Sequence, residues 1–182
     1  MTLFTIGETL IWSYSNLAMA HSAVSAKLEK YGRVQFMIRS RLYKGLMSKS
    51  MNIGPLADDE RLKMVLPQAC CYCGSRESLS VDHLISTKKG GKNCGDNLVW
   101  ACRSCNSSKS ARDVLEWLAL RGKFPPLLLL RRYLKLAIEY CQERELMDVQ
   151  ISEAPDLPFT LSLVPLNFPP PLELELWIVS IV

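Results

Sequence analysis

Apolar residues recur at three- and four-residue steps between Ala23 and Ser48, which is the spacing of side chains on one face of an α-helix. Gly32 falls inside this pattern, so we expect the helix to break or bend there. Residues 1–20 are mainly apolar and predict a short helix or strand packed on the body. Asn52–Pro55 predicts a turn, and Asp58–Val65 predicts another short helix. The residues that define the long periodic stretch are Val24, Leu28, Tyr31, Val34, Ile38, Leu42 and Leu46.

The pattern changes in residues 69–112, where short apolar runs are separated by polar and glycine-rich sequence. A strand is predicted near Leu79–Ile85, followed by a polar loop over Ser86–Asp96 that holds three glycines. A second short strand covers Asn97–Ala101, and a helix begins near Arg103. This segment is therefore predicted to be a β-hairpin followed by a helix.

Helical and proline-rich sequence follows this hairpin segment. Asp113–Leu120 predicts a helix that stops at Gly122 in a left-handed cap, and Leu127–Arg144 predicts a largely buried helix. Leu172–Leu176 alternates apolar and acidic residues like a half-buried strand. Trp177–Val182 is strongly apolar, so it must pack on the body of the chain, on a second copy or on a partner protein.

We expect one α+β chain with helical N- and C-terminal extensions around a central module. Residues 1–65 form the mainly helical part, 66–122 the module, and 123–182 a helix followed by the proline-rich apolar segment. The 182 residues are 48% hydrophobic, which allows a real core and disfavours disorder. Because no stretch approaches the roughly 20 apolar residues of a membrane helix, we expect no membrane span.

Charge is distributed unevenly along the chain. The net charge is +4, but six acidic residues and no basic residue follow Arg144. Residues 1–144 therefore carry 22 basic and 12 acidic side chains. A basic body attracts polyanions, and the class this favours is nucleic acid.

Four of the seven cysteines form two Cys-x-x-Cys pairs with 28 residues between them, namely Cys70, Cys73, Cys102 and Cys105. Two such pairs complete a tetrahedral, closed zinc site that would pin the start of the hairpin to the start of the helix. Redox-active or plainly buried cysteines are the alternative. An odd number of cysteines in this spacing favours thiolates in a reducing cytoplasm over a disulfide scaffold. No basic residue precedes Lys27, so a secretion signal is not expected.

A polar group that suits phosphodiester hydrolysis lies between and beside these pairs. His83 is the candidate general base, and Asp82 precedes it on the same strand with its side chain on the opposite face unless a bulge intervenes. Asn106, on the first turn of the following helix, offers a neutral oxygen to a hard cation such as Mg²⁺. Asn97 is placed to bridge the hairpin loop by hydrogen bonds. The alternatives are a structural histidine, a helix cap at Asn106 and a plain turn residue at Asn97.

Basic side chains near this group are candidate contacts to nucleic acid. They are Lys88, Lys89 and Lys92 in the hairpin loop, with Lys109 and Arg112 one helical turn beyond Asn106. A further basic stripe runs from Lys27 to Lys44 along the first periodic helix. Such side chains grip phosphates without reading sequence, and solvated charge is the alternative for each.

These residues resemble a known family. Asp82-His83, Gly90-Gly91, Asn97-Leu98, Cys102-x-x-Cys105-Asn106 and Lys109 look like the HNH endonucleases of the His-Me finger superfamily. The likeness is to the zinc-bearing subgroup that has asparagine at the last histidine position. It covers about 45 of 182 residues and departs at Ser86, where many members have proline, and at Ser110, where glycine is common.

The resemblance implies a ββα-metal fold and metal-dependent cleavage of DNA. It implies His83 as general base, Asp82 and Asn106 as magnesium ligands, and Asn97 as the residue that holds the loop. Restriction, phage defence and mobile-element biology are the settings suggested by analogy. The alternatives are a zinc-ribbon module that binds DNA without cutting it, and a nuclease subunit of a larger complex. A homodimer through the apolar C-terminal segment would help to make double-strand breaks.

Overall fold

The computed structural model describes residues 4–56 and 68–178. Helix α1 spans Ile6–Ser25, and most of its residues are buried. Thr5 and Glu8 close its first turn as a capping box, in which each side chain accepts from the other residue's backbone N–H. The apolar N-terminal sequence is thus a central helix of the fold, with Phe4 and Thr5 as its extended lead-in.

The periodic stretch from Ala23 to Ser48 does not form one helix, which corrects that part of the prediction. Helix α1 ends at Ser25, Lys27 adopts a left-handed conformation (φ 53°), and α2 covers Arg33–Met47. Gly32 is the extended N-cap residue of α2, and its N–H donates to the Gln35 side chain at 3.2 Å. The helical pattern is therefore interrupted between Ser25 and Arg33, a stretch that ends at the expected glycine. Helix α2 then packs back on α1.

The predicted hairpin and helix are present. Strand β1 (Leu79–His83) pairs antiparallel with β2 (Leu98–Cys102), and α3 (Arg103–Lys109) follows without a linker. In the register, Asp82 lies opposite Val99 and His83 opposite Leu98. Helices with a small antiparallel sheet confirm the α+β class and the ββα order.

The two helices beyond the hairpin also agree with the sequence. Helix α4 spans Val114–Ala119, and the Asp113 carboxylate caps it by accepting from the N–H groups of Leu115 and Glu116. Gly122 has φ +63°, the left-handed conformation expected after a helix end. Helix α5 spans Leu127–Glu143, and most of its residues are buried.

The predicted strand at Leu172–Leu176 is wrong, since Pro171–Glu173 form a 3₁₀ turn instead. Pro171 is the first residue of this turn, and its fixed φ suits the start of a helical turn. The carbonyls of Glu175 and Leu176 accept from Leu127 and Leu128, so this segment caps the first turn of α5. The predicted helix at Asp58–Val65 and residues 179–182 lie outside the described residues.

The main hydrophobic core draws on the N-terminal, central and C-terminal parts of the described chain. It includes Leu10 of α1, Tyr72 and Leu84 of the hairpin region, Leu134 of α5 and Phe159 of the C-terminal segment. The hairpin module thus packs between the N-terminal and C-terminal parts. Within residues 4–56 and 68–178, no helix has the length and apolar character needed to cross a membrane.

Candidate active site and metal centre

The two Cys-x-x-Cys pairs meet at one point. The sulfur atoms of Cys70, Cys73, Cys102 and Cys105 all lie within 4.8 Å of one another. The Sγ atoms of Cys73 and Cys102 are 3.7 Å apart. Tetrahedral zinc, with zinc–sulfur distances of about 2.3 Å, places its ligands about 3.8 Å apart. The cluster therefore fits a structural zinc ion, which would join the hairpin to α3.

The surroundings of these thiols differ. Cys102 is the N-cap of α3, and the N–H of Cys105 donates to its sulfur at 3.4 Å. That hydrogen bond lowers the pKa of Cys102 to about 7, whereas burial raises the pKa values of Cys70 and Cys105. A divalent ion would have to displace protons from the buried thiols, so metal binding and proton release are coupled.

Asp82 points into the protein. Its side chain is only 6% exposed, and it accepts from the Tyr72 hydroxyl at 2.7 Å. The Lys109 ammonium lies 3.2 Å from Oδ1 and 3.1 Å from Oδ2 of the same carboxylate. Burial raises the pKa of Tyr72 well above its usual value, so this hydroxyl stays a donor. The Asp82 side chain is thus held by the Tyr72 hydroxyl and the Lys109 side chain.

The two cations at the end of α3 occupy different environments. Lys109 is 0% exposed and also donates to the His83 carbonyl at 2.9 Å, so it braces β1 from inside. The guanidinium of Arg112 donates to the Ser108 carbonyl at 3.0 Å on an exposed side chain. Of this pair, only Arg112 has the surface position that was expected for a contact to nucleic acid.

His83 lies on the outer side of β1, next in sequence to the inward Asp82. Its Nε2 is 2.9 Å from Oδ1 of Asn93, in the exposed hairpin loop. The strand shows the alternation expected without a bulge, because Asp82 is buried and His83 is partly exposed. The sequence pattern gave no signal for Asn93, which lies in a polar loop whose conformation the pattern does not define.

Asn97 ties the two ends of the hairpin loop together. Its side chain is 1% exposed, and its Oδ1 accepts from the Ile85 N–H at 2.9 Å. Its Nδ2 donates to the carbonyls of Ile85 at 2.7 Å and Lys92 at 2.8 Å. Gly91 packs so closely against Ile85 that a Cβ at this position would collide with the Ile85 carbonyl. The loop is therefore closed by one buried amide and one required glycine.

Asn106 connects α3 to β1. Its Nδ2 donates to the Ser80 hydroxyl and to the Val81 carbonyl, each at 3.1 Å. These bonds use the amide nitrogen, and so they fix the orientation of Oδ1.

A cavity of about 160 Å³ lies where the end of β1, the hairpin loop and α3 meet. It is lined by Asp82, His83, Ser86, Thr87, Lys88, Asn106, Lys109, Ser110 and Ala111. Asn97 is not among the lining residues, so it can act on this cavity only through the loop. A larger cavity of about 500 Å³ lies between α1, α2 and the end of α5, where Gly7, Leu46 and Gln142 are among its lining residues.

The three lysines of the hairpin loop differ in their partners. Lys88 and Lys89 are exposed on a 3₁₀ turn at Thr87–Lys89, beside the cavity. Lys92 contacts two carboxylates of α5, Glu143 at 2.5 Å and Glu139 at 3.2 Å. The hydrogen bond with Glu143 raises the pKa of Lys92 and lowers that of Glu143. Lys92 thus ties the loop to α5.

The comparison with protein families agrees with this geometry. Residues 70–112 match the model described as HNH endonuclease. The match starts at the first zinc-type cysteine and ends just after α3, and it covers just under a quarter of the chain. Comparisons with curated proteins and with solved structures gave no match. Residues 70–112, with their ββα order and four-cysteine cluster, therefore match the HNH endonuclease family model in a form consistent with its zinc-bearing subgroup.

Proposed function

We propose that the protein is a metal-dependent DNA endonuclease. One observation carries this proposal: Asp82, His83 and Asn106 line the same small cavity, inside the segment that matches the HNH family. A zinc-ribbon protein that only binds DNA has no need of a histidine beside a carboxylate and an amide at a cavity. The four cysteines would hold a structural zinc ion, which has no open position for substrate.

His83 is the proposed general base. It accepts a proton from a water molecule, whose oxygen attacks phosphorus in line with the leaving group. The new phosphorus–oxygen bond replaces the bond to the 3′ oxygen, which takes a proton from solvent. Asn97 holds the hairpin loop closed over Ile85 during this reaction, and so it acts through the position of β1 and the loop.

Asp82 and Asn106 are the proposed ligands of a magnesium ion or a similar divalent cation. A carboxylate offers about four acceptor sites, and the donors Tyr72 and Lys109 leave some of these available to a cation. One carboxylate and one amide oxygen, with water in the remaining positions, suit Mg²⁺. The bound cation would neutralise charge on the phosphate and on the leaving oxygen.

The proposed substrate is double-stranded DNA. Lys88, Lys89 and Arg112 lie near or beside the cavity on exposed side chains and would contact phosphates. Helix α2 adds a second basic surface, because Arg33, Arg41 and Lys44 are exposed and its sequence contains no acidic residue. Contacts of this kind supply affinity without sequence preference. We place the protein in the cytoplasm, where the zinc-binding thiols stay reduced, in restriction, phage defence or mobile-element biology.

One observation favours the alternative of a module that binds DNA without cutting it. The buried Lys109 ammonium already neutralises Asp82, and a second cation at the same carboxylate would have to overcome that repulsion. In this alternative the zinc cluster and the basic surfaces bind DNA, and the cavity has no chemical role.

Digestion of supercoiled, linear and single-stranded DNA with a series of divalent metals distinguishes the two functions. The proposal predicts nicking of supercoiled plasmid by the wild type with Mg²⁺ or Mn²⁺, and loss of nicking in His83→Ala. His21→Ala is the control, because His21 is the other histidine of the chain and does not line the cavity. Equal DNA binding by wild type and His83→Ala, with no cleavage by either at any metal, would establish the binding module instead.

A further inference from the structure

The hairpin loop beside His83 is held by α5, a helix outside the HNH segment. Arg132 of α5 donates to the carbonyls of Asp96 and Gly95, the latter at 2.9 Å. Its guanidinium is also 3.8 Å from the Asp96 carboxylate, and the side chain is buried. Arg132 therefore fixes the end of the loop that leads into β2.

A second attachment lies a few residues earlier in the same loop. Lys92 forms ion pairs with Glu139 and Glu143, which are one helical turn apart on α5. The carbonyl of Lys92 also accepts from the buried Asn97 amide at 2.8 Å. Exposed ion pairs contribute little stability on their own, because water screens the charges. Together with the Asn97 bond, however, they hold both the side chain and the backbone of residue 92.

Asn93 lies between these two attachments. The Cys94 carbonyl accepts from the Asn97 N–H at 3.0 Å, so the backbone is bonded on both sides of Asn93. The Asn93 Oδ1 is 2.9 Å from Nε2 of His83. An amide oxygen can only accept a hydrogen bond, so Nε2 must carry the proton in this contact. The lone pair of the neutral ring is then on Nδ1.

We propose that Asn93 is a positioning residue that orients the His83 ring and fixes its Nε2–H tautomer, and that α5 clamps the loop that presents Asn93. The proposal rests on the role of His83 as the general base. Asn93 lies inside the family segment, but the clamp comes from Glu139, Glu143 and Arg132, which lie beyond it. Helix α5 therefore helps to orient the general base through the hairpin loop.

Kinetics of plasmid nicking at saturating DNA separate positioning from DNA binding. Asn93→Leu removes the acceptor, and we expect kcat to fall by about tenfold or more with KM within about twofold, as for other residues that orient a histidine. Asn93→Asp keeps an acceptor oxygen at the same place, so most of kcat should return. Asn167→Leu, an exposed asparagine of the C-terminal segment, is the matched control.

The clamp is tested by Glu139→Gln with Glu143→Gln, against Glu145→Gln with Asp148→Asn. Both double variants remove two negative charges at the same end of α5 or just beyond it, so both should bind DNA somewhat more tightly. Only the first pair releases Lys92, and we expect only that pair to lower kcat, by about threefold or more. Equal kcat values in the two double variants would show that the ion pairs of α5 with Lys92 do not affect catalysis, which contradicts the clamp.

Nitrogen NMR of the imidazole rings gives a readout that does not need activity. The chain has two histidines, so His83→Ala assigns the signals. In mildly alkaline buffer the wild type should show His83 as the Nε2–H tautomer, and Asn93→Leu should show a mixture of tautomers. A wild-type Nδ1–H tautomer, or kcat of Asn93→Leu equal to that of the control, overturns the positioning role while wild-type cleavage still supports the nuclease. If the wild type does not cleave DNA, the proposed nuclease function is contradicted, whichever tautomer His83 adopts.

Discussion

At the scale of single residues, the buried ion pair between Lys109 and Asp82 is the feature that most changes the picture of the site. The sequence placed Lys109 among the candidate phosphate contacts because it follows Asn106 by about one helical turn. In the fold its ammonium instead lies between the Asp82 carboxylate and the His83 carbonyl. The pair thus holds β1 against α3 and sets the charge beside the cavity.

Replacing Lys109 should therefore destabilise the fold. In Lys109→Met the Asp82 carboxylate keeps Tyr72 as a donor but loses its cation, and breaking a buried pair in this way costs about 3–5 kcal/mol. Urea unfolding measures this loss, with the exposed Lys88→Met as the matched control. If Lys109→Met instead kept its stability and bound DNA more weakly, Lys109 would be a contact to nucleic acid and not a structural residue.

Residue types and spacing predicted the chemical groups of the site well, but they did not predict which residues contact those groups. Four cysteines in two short-spaced pairs could be assigned to one metal, because the spacing itself fixes which sulfurs converge. The partners of His83 and Asp82 could not be assigned, since Asn93 and Tyr72 contact them from a loop and from the first cysteine turn. Charge patterns likewise do not show which lysine is drawn into the interior by a buried carboxylate.

At the scale of elements, the zinc cluster joins the hairpin to α3. A two-stranded hairpin alone is marginally stable in water, so we expect the cluster to supply much of the stability of this segment. The N–H of Cys105 bonded to the Cys102 sulfur favours one thiolate before any metal binds.

Removal of the metal should unfold the ββα module. We expect one zinc per chain, measured by elemental analysis, and a large fall in the thermal unfolding temperature after chelation. The pair Cys70→Ser and Cys102→Ser should lose the zinc, and Cys94→Ser, outside the cluster, should keep it. The ligands bind as thiolates, and burial raises the pKa values of Cys70 and Cys105, so zinc affinity should fall as pH falls even above pH 7. The fall should be steepest below about pH 7, where Cys102 also takes up a proton. Affinity that does not change with pH, or zinc retained by the double serine variant, contradicts the four-thiolate site.

Periodicity predicted the elements whose burial follows their own side-chain pattern and failed where backbone contacts or a turn decided the structure. The β1–β2 hairpin and the buried helix α5 followed from local patterns. The alternation at Leu172–Leu176 did not form a strand, because its carbonyls bond the start of α5 instead. Likewise, the turn at Lys27 was not predicted, because the helical spacing of apolar residues continues through it from Ala23. Side-chain spacing alone does not detect a chain reversal.

At the scale of the whole molecule, the N-terminal and C-terminal segments share the main hydrophobic core with the module. The backbone N–H groups of Ile6 and Gly7 donate to the carbonyls of Val149 and Met147, and the indole of Trp12 donates to the Leu166 carbonyl. The C-terminal segment up to residue 178 thus packs on the body of its own chain. This packing explains how a helix beyond the family segment can act on its hairpin loop.

A substitution far from the site should therefore destabilise the whole molecule. Phe159 is 4% exposed and packs between the rings of Tyr133 and Tyr140, so Phe159→Ala should lower the free energy of unfolding by about 3–5 kcal/mol. Leu172→Ala, at a side chain that is 73% exposed, should change it by about 0.5 kcal/mol or less. Fluorescence and circular dichroism should report one shared transition in both variants. Separate transitions for the module and the C-terminal segment would show that the core does not couple them.

The most direct test of the account is the ratio of plasmid nicking rates between the wild type and His83→Ala, both loaded with one zinc per chain and assayed with saturating Mg²⁺. Equal zinc content ensures that the two proteins share the folded module. If His83 activates the attacking water, the wild type should cut at least about a hundredfold faster. Equal rates would contradict a catalytic role for His83, and with it the proposed active site.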